Sequence, residues 1–190
     1  MTIRGAIRCG VSAALFLSAA CAFAPCAAGA EAPAPARVEE LDTDKDGRVD
    51  EWRYTEGTQI VRVERDRDRD GRREVQIFLE AGKVVRSEVD RNNDGQPDLI
   101  RFFKEGRAQR EQADLNFDGK LDAWAYFNAE GFKDFMIMDK NRDGRPDAWF
   151  YYGQAGTKLT GGRVDENFDG KVDRSFGAVP ESETRQPWSP

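Results

Sequence analysis

One nine-residue stretch, Asp114-Leu-Asn-Phe-Asp-Gly-Lys-Leu-Asp122, constrains this chain more than any other because it recurs six times. The copies begin at Asp42, Asp66, Asp90, Asp114, Asp139 and Asp165, and their glycines are Gly47, Gly71, Gly95, Gly119, Gly144 and Gly170. The starts are 24 residues apart three times, then 25 and 26 apart. A fixed period of this size marks stacked supersecondary units, none of which can bury its apolar face alone.

Each copy puts an oxygen-bearing side chain at its first, third, fifth and ninth positions. These are Asp42, Asp44, Asp46 and Asp50 in the first loop, then Asp66, Asp68, Asp70 and Glu74 in the second. The third has Asp90, Asn92, Asp94 and Asp98, and the fourth Asp114, Asn116, Asp118 and Asp122. The fifth has Asp139, Asn141, Asp143 and Asp147, and the sixth Asp165, Asn167, Asp169 and Asp173. Such acids repel one another unless a cation sits among them, and hard, flexible oxygen coordination suits calcium best. The glycine after the fifth position allows a sharp turn through positive φ. Against this stands a plainer reading: Asp, Asn and Gly are ordinary turn residues, so each loop could be an Asx-turn without metal.

The loop resembles the calcium loop of EF-hand proteins, and of the dockerin and thrombospondin type 3 repeats that share its D-x-[DN]-x-D-G core. The resemblance spans about nine residues of each repeat and implies calcium as the bound ion. The chain departs from the EF-hand pattern at the twelfth position, where the expected acid is replaced by Arg53, Ile77, Arg101, Ala125, Phe150 and Phe176. That loss implies weak sites, with dissociation constants on the order of 10⁻⁴ to 10⁻³ M. Pro97 and Pro146 at the eighth position cannot donate the backbone bond that usually pairs two such loops. The flanks do not read as helices. Copies one, four and six rank as the best sites, and the arginines interleaved in Asp66–Glu74 make copy two the poorest.

Between the loops the period is two. Trp52, Gln76, Ile100, Trp124, Trp149 and Ser175 form one column, and Tyr54, Phe78, Phe102, Tyr126, Tyr151 and Gly177 lie two residues on. Both columns therefore share one face of a strand. A turn follows at Gly57, Gly82, Gly106, Gly131 and Gly156, and a second strand leads to the next loop. In that strand Arg62, Arg86 and Arg110 alternate with Glu64, Glu88 and Gln112 to give a charged face. The fold class is all-β: an antiparallel β-meander of about six loop–strand–turn–strand repeats, with the acidic loops along one edge. The aromatic stripe reads as core, with twist or closure of the sheet covering it.

Residues 1–30 read as a signal peptide: Arg4 and Arg8 precede an apolar run, and Ala28-Gly-Ala30 offers small residues for cleavage. Leu17-Ser-Ala-Ala-Cys21 also resembles a lipoprotein box, which would anchor the chain to a membrane through Cys21. Residues 31–40 read as a linker, 41–177 as the six-repeat domain and 178–190 as a disordered tail that includes Trp188. All three cysteines fall in the leader, so no disulfide framework is expected beyond it. There is no histidine, which removes the commonest general base and most zinc sites. The leader holds two of the 29 Lys and Arg and none of the 35 Asp and Glu, so the remainder carries a net −8. That balance argues against nucleic acid as a partner.

The expectation is an exported, periplasmic or extracellular calcium-binding repeat protein that is not an enzyme. Its role would be structural or in interaction with a cell-surface or periplasmic protein or polysaccharide. The alternatives are a metal-independent acidic β-repeat scaffold and, from another class, a carboxylate-based hydrolase. The hydrolase is disfavoured because every acid that stands out belongs to a repeated loop.

Overall fold

The computed structural model describes residues 37–153 and 155–180. The expected signal peptide with Cys21, the first part of the linker, and residues 181–190 with Trp188 lie outside the described residues. Twelve strands follow in order: β1 (Arg37–Leu41), β2 (Glu51–Glu56), β3 (Gln59–Arg65), β4 (Val75–Glu80), β5 (Lys83–Val89), β6 (Leu99–Lys104), β7 (Arg107–Ala113), β8 (Ala123–Phe127), β9 (Lys133–Met138), β10 (Ala148–Tyr152), β11 (Leu159–Val164) and β12 (Arg174–Gly177). They form one sheet in sequence order, and each pairs antiparallel with the next. The all-β meander is as expected. The sheet is open, however: β1 and β12 sit at opposite ends of the order, so closure does not cover the aromatic stripe.

Two kinds of link alternate. The acidic loops join β1 to β2, β3 to β4 and so on, and in a meander they all fall on one rim. The glycine turns join the other pairs on the opposite rim. At two of these, Ala81 (φ 48°) with Gly82 (φ 76°) and Glu105 (φ 51°) with Gly106 (φ 76°), both central residues are left-handed. This is the type I′ pattern whose twist matches a hairpin. Each hairpin also shifts register at the same place, next to Tyr54, Phe78, Phe102, Tyr126 and Tyr151. A bulge of this kind increases local twist.

The register corrects the expectation of a separate charged face. Tyr54 lies opposite Arg62, Arg62 opposite Phe78, Phe78 opposite Arg86, Arg86 opposite Phe102, and Phe102 opposite Arg110. The arginines and aromatics therefore share the first face in one cross-strand row. Arg62 lies over the Tyr54 ring at 4.0 Å, Arg86 over Phe78 at 4.2 Å and Arg110 over Phe102 at 4.4 Å. Planar guanidinium stacks on ring faces with about 0.5–1 kcal/mol per exposed contact. The aromatic stripe is thus core only in part.

From Tyr126 the same row continues through Phe135 and Tyr151, because Phe135 stands where the arginines stood. Phe135, Ile137 and Tyr151 form the buried core, with Tyr126, Trp149 and Val179 packed against it. Phe135 stacks on Tyr126 at 6.0 Å and on Tyr151 at 5.0 Å between centroids. Burial of large side chains concentrates there, and apart from Val75 the large apolar residues of β4 to β7 are half-buried only.

Two boundaries differ from expectation. Residues 37–40 are not linker but most of β1. They stand in phase with the repeat: Val38 and Glu40 occupy the positions of Arg62 and Glu64 relative to the following loop. At the other end, residues 178–180 are held against β11 rather than being a free tail. The Ala178 N–H donates to the Thr160 carbonyl at 2.8 Å, the Arg163 guanidinium donates to the Pro180 carbonyl at 2.7 Å, and Val179 packs on the core. Gly161 and Gly162 create the room. A Cβ on Gly161 would stand 2.3 Å from the Ala178 carbonyl oxygen, and one on Gly162 would stand 2.7 Å from the Phe176 ring.

Candidate functional site

The six acidic loops share one hydrogen-bonded geometry. The first-position carboxylate accepts the glycine N–H, at 2.7–2.9 Å, in every copy. The third-position Oδ1 accepts the fifth N–H, and the fifth Oδ1 accepts the seventh, again in all six. The ninth-position carboxylate reaches back to accept the second N–H: Thr43 to Asp50 at 3.1 Å, Arg67 to Glu74 at 2.6 Å, Arg91 to Asp98 at 2.5 Å, Leu115 to Asp122 at 3.1 Å, Lys140 to Asp147 at 2.6 Å and Glu166 to Asp173 at 2.8 Å. A tight backbone turn thus forms around four acceptors. All six fourth-position residues are left-handed as well, from Asn93 and Phe168 at φ 61° to Arg69 and Arg142 at 66°.

The site residues divide by depth. Of the first- and ninth-position acids, Asp66, Asp98, Asp114, Asp122, Asp139, Asp147 and Asp165 are buried, Asp42, Asp50, Glu74 and Asp90 are half-buried, and Asp173 is exposed. The fifth-position acids Asp46, Asp70, Asp94, Asp118, Asp143 and Asp169 are exposed at the rim. Neighbouring loops are joined by the first N–H of one to the ninth carbonyl of the one before, as in Asp66 to Asp50 at 3.0 Å and Asp114 to Asp98 at 2.8 Å. The eighth position takes no part in that link, so Pro97 and Pro146 forfeit no bond between loops.

Burial and hydrogen bonding set the charges of the fourth loop. Burial alone pushes the Asp114 carboxyl up, but N–H bonds from Gly119, Phe117, Asn116 and Asp118 outweigh it and hold the group below its ordinary range. Asp122 is pushed up, chiefly by burial and then by the charges of Asp114 and Asp118, with only Leu115 N–H and Arg142 opposing. An added cation relieves that strain directly.

The copies differ in what neutralises them. Where the third residue is Asn, its amide is assigned as donor to the fifth carboxylate, from Asn92 to Asp94 at 2.9 Å through Asn167 to Asp169 at 3.5 Å. Copies one and two have Asp there and lack that donor. In them three carboxylates converge: one oxygen each from Asp42, Asp44 and Asp50, and one each from Asp66, Asp68 and Glu74, lie within 4.8 Å of one another. Glu74 Oε2 is buried with no hydrogen-bond partner. The second copy, expected to be the poorest, is thus one of the two in which three carboxylates converge. Three of its four arginines, Arg69, Arg72 and Arg73, find partners other than its inner acids. Arg69 pairs with Asp44 and, at 3.8 Å, Asp46 of the first loop. Arg72 donates to the Asn93 carbonyl of the third loop at 2.7 Å and lies 3.9 Å from its own exposed Asp70. Arg73 turns onto the first face, 2.8 Å from both Glu64 and the Tyr54 hydroxyl and 4.1 Å over the Trp52 ring.

Sequence reasoning missed these bridges between loops. Three of them start from the left-handed fourth position, where Arg69, Asn93 and Arg142 reach the preceding loop; Asn93 donates to Asp70 at 3.0 Å, and Arg142 lies 3.9 Å from Asp118. The signal was available as cations or amides at that position in copies two, three and five.

No protein-family profile and no curated protein matches the chain. Among solved structures, a TarM point mutant from S. aureus, in complex with fondaparinux, alpha-GlcNAc-glycerol and UDP, aligns at 13% identity and a TM-score of 0.35 over 74% of this chain. A second structure of TarM aligns at 12% identity and a TM-score of 0.27 over 64%. The chain spans about a fifth of either protein, 21% and 20%. Likeness at this level carries no argument about fold or activity.

Proposed function

We propose that this is an exported calcium-binding repeat protein in which calcium orders a row of acidic loops along one rim of a β-meander, and that its role is structural or in interaction rather than catalytic. One observation carries the reading: the convergence of first, third and ninth carboxylates within 4.8 Å in the first two loops. The donor set fits the ion. It is all oxygen, and the buried, unpartnered Glu74 Oε2 is an acceptor in need of a cation. Asp42, Asp44 and Asp50 would hold one ion, and Asp66, Asp68 and Glu74 another. Calcium supplies positive charge there and ties the backbone turn more firmly to the sheet. Binding to the folded loops alone stabilises them by mass action.

A second reading, the metal-independent scaffold, draws on Arg69: a guanidinium already sits between Asp44 and Asp46, and the Asn amides do the same work in later loops. The two readings part on one variant. Glu74→Gln keeps an acceptor for the Arg67 N–H and removes the charge. On the calcium reading, millimolar calcium raises the melting temperature of the wild type, and the rise is smaller in Glu74→Gln. On the scaffold reading neither protein responds to calcium.

A further inference from the structure

We infer that the second face of the sheet, around Ile77, Val84 and Phe103, is the interface of a two-fold homodimer that stacks two copies of this chain face to face with their acidic rims on opposite sides. This inference is independent of calcium. It begins from the single layer. Ile77, Leu79, Val84, Leu99 and Phe103 are all only half-buried on the second face, where Ile77, Val84, Ser87 and Phe103 line a shallow groove of about 480 Å³. The first face differs, because its rings are already stacked by Arg62, Arg86 and Arg110 and its carboxyl-terminal part is covered by Val179.

Charged groups around the groove and along the central strands of the second face are paired. Glu51 takes Arg53 at 2.6 Å and Arg65 at 2.7 Å, Glu111 takes Arg101, and Lys83 closes on Glu105 at 2.5 Å beside the groove. A charge removed from water without a partner is costly, and these groups carry their partners with them.

The area is sufficient. Strands of about six residues span roughly 20 Å, and eight of them about 38 Å, so the central strands alone offer about 750 Å² per copy. Two copies would bury about 1,500 Å², within the range of stable interfaces. Stacked sheets keep their strands nearly aligned about 10 Å apart.

Charge chooses between the two ways of stacking. The six nine-residue loops carry 21 Asp and Glu against 12 Lys and Arg, whereas the turn segments 56–59, 80–83, 104–107, 128–133 and 153–158 carry four against five. Placing loop rim over loop rim sets a net −9 against −9. Placing loop rim over turn rim sets −9 against +1, which a two-fold axis across the strands achieves. The arrangement is closed, so it produces a dimer and not a fibre.

The test is the mass of the purified protein by sedimentation equilibrium in chelator-containing buffer, from 1 to 100 μM. The expected result is a dimer. The double variant Ile77→Asp, Phe103→Asp should weaken association at least a hundred-fold with its far-ultraviolet circular dichroism unchanged. Val38→Asp on the β1 edge should leave the dimer intact. If the double variant loses its strand signal, Ser87→Arg, which blocks the groove floor at a half-buried polar position, reads the same interface. A monomer at 100 μM, a dimer indifferent to the face variants, or a dimer lost only in Val38→Asp would each overturn the inference. Zero-length cross-linking between differently isotope-labelled copies should join Lys83 and Lys104 to partner loop carboxylates. Links confined to turn-to-turn contacts within one copy, such as Lys83 to Glu105, would contradict the stacking.

Discussion

Asp98 separates the structural work of an acidic loop from its charge. The residue is 2% exposed, and its Oδ2 accepts the N–H groups of Arg91 at 2.5 Å and Asn92 at 3.2 Å, while its own N–H donates to the Val89 carbonyl at 2.9 Å. Asp98→Ala removes both side-chain acceptors. A hydrogen bond to a charged group contributes roughly 1.5–3 kcal/mol, and the exposed loop lets water recover part of that, so the net loss should be about 2–4 kcal/mol. For a domain of this size the melting temperature falls by about 5–15 °C. Asp98→Asn keeps one acceptor oxygen but exchanges charge-assisted bonds for neutral ones, and it should lose about 1–2 kcal/mol. The assay is urea unfolding by intrinsic tryptophan fluorescence in chelator, read at constant m-value. A loss below about 0.5 kcal/mol for Asp98→Ala would refute the idea that the ninth-position acid closes the loop without metal. So would equal losses for the two variants, since the retained acceptor would then have no value.

Other outcomes follow from the same geometry. Ala81→Asn should raise stability by about 0.5–1 kcal/mol, because Asn tolerates the left-handed conformation of a type I′ turn better than Ala does; thermal melts would show it. Gly177→Ala should lower stability by 2 kcal/mol or more, roughly, since a Cβ there would lie 2.1 Å from the Thr160 carbonyl oxygen on a backbone at φ +68°; an unchanged melt would contradict the described close approach. Acid should act through Asp114 and Glu64. Both carboxyls are held below their ordinary range, because hydrogen bonds outweigh the burial that pushes them up, from backbone N–H groups at Asp114 and from Tyr54 and Arg73 at Glu64. A depressed folded-state pKa gives stability that is present above the unfolded value, near 4, and is lost as the pH falls through the lower folded value. Asp122 has the opposite sign. Its raised carboxyl favours the proton, so its unfavourable contribution grows as pH rises through its folded value and is removed by Asp122→Asn. Urea midpoints from pH 7 to pH 3 for wild type, Glu64→Gln and Asp122→Asn separate the two signs.

Much of the architecture was legible because it is periodic. The loops state where the chain turns, and the spacing of Trp52 and Tyr54 states that it runs as strand. Face assignment across strands was not legible, because it depends on register. Arg62 and Tyr54 look like members of two different patterns until pairing places them opposite each other. The same limit hid the partners of the second loop's arginines. Counting arginines between Asp66 and Glu74 predicted neutralisation, but Arg69 and Arg73 pair outside the loop they belong to. Strand β1 was missed for another reason. Arg37–Leu41 is charged and follows a proline-rich stretch, so composition resembled a linker, whereas phase relative to Asp42 placed it in the repeat.

Calorimetric titration of the chelator-stripped protein with calcium tests the central claim most directly. The proposal predicts saturable binding of at least two ions per chain, with dissociation constants at or below about 10⁻³ M, and loss of one of them in Glu74→Gln. Absence of binding heat at millimolar calcium, together with an unchanged melting temperature, would contradict it and leave the six loops as self-satisfied turns.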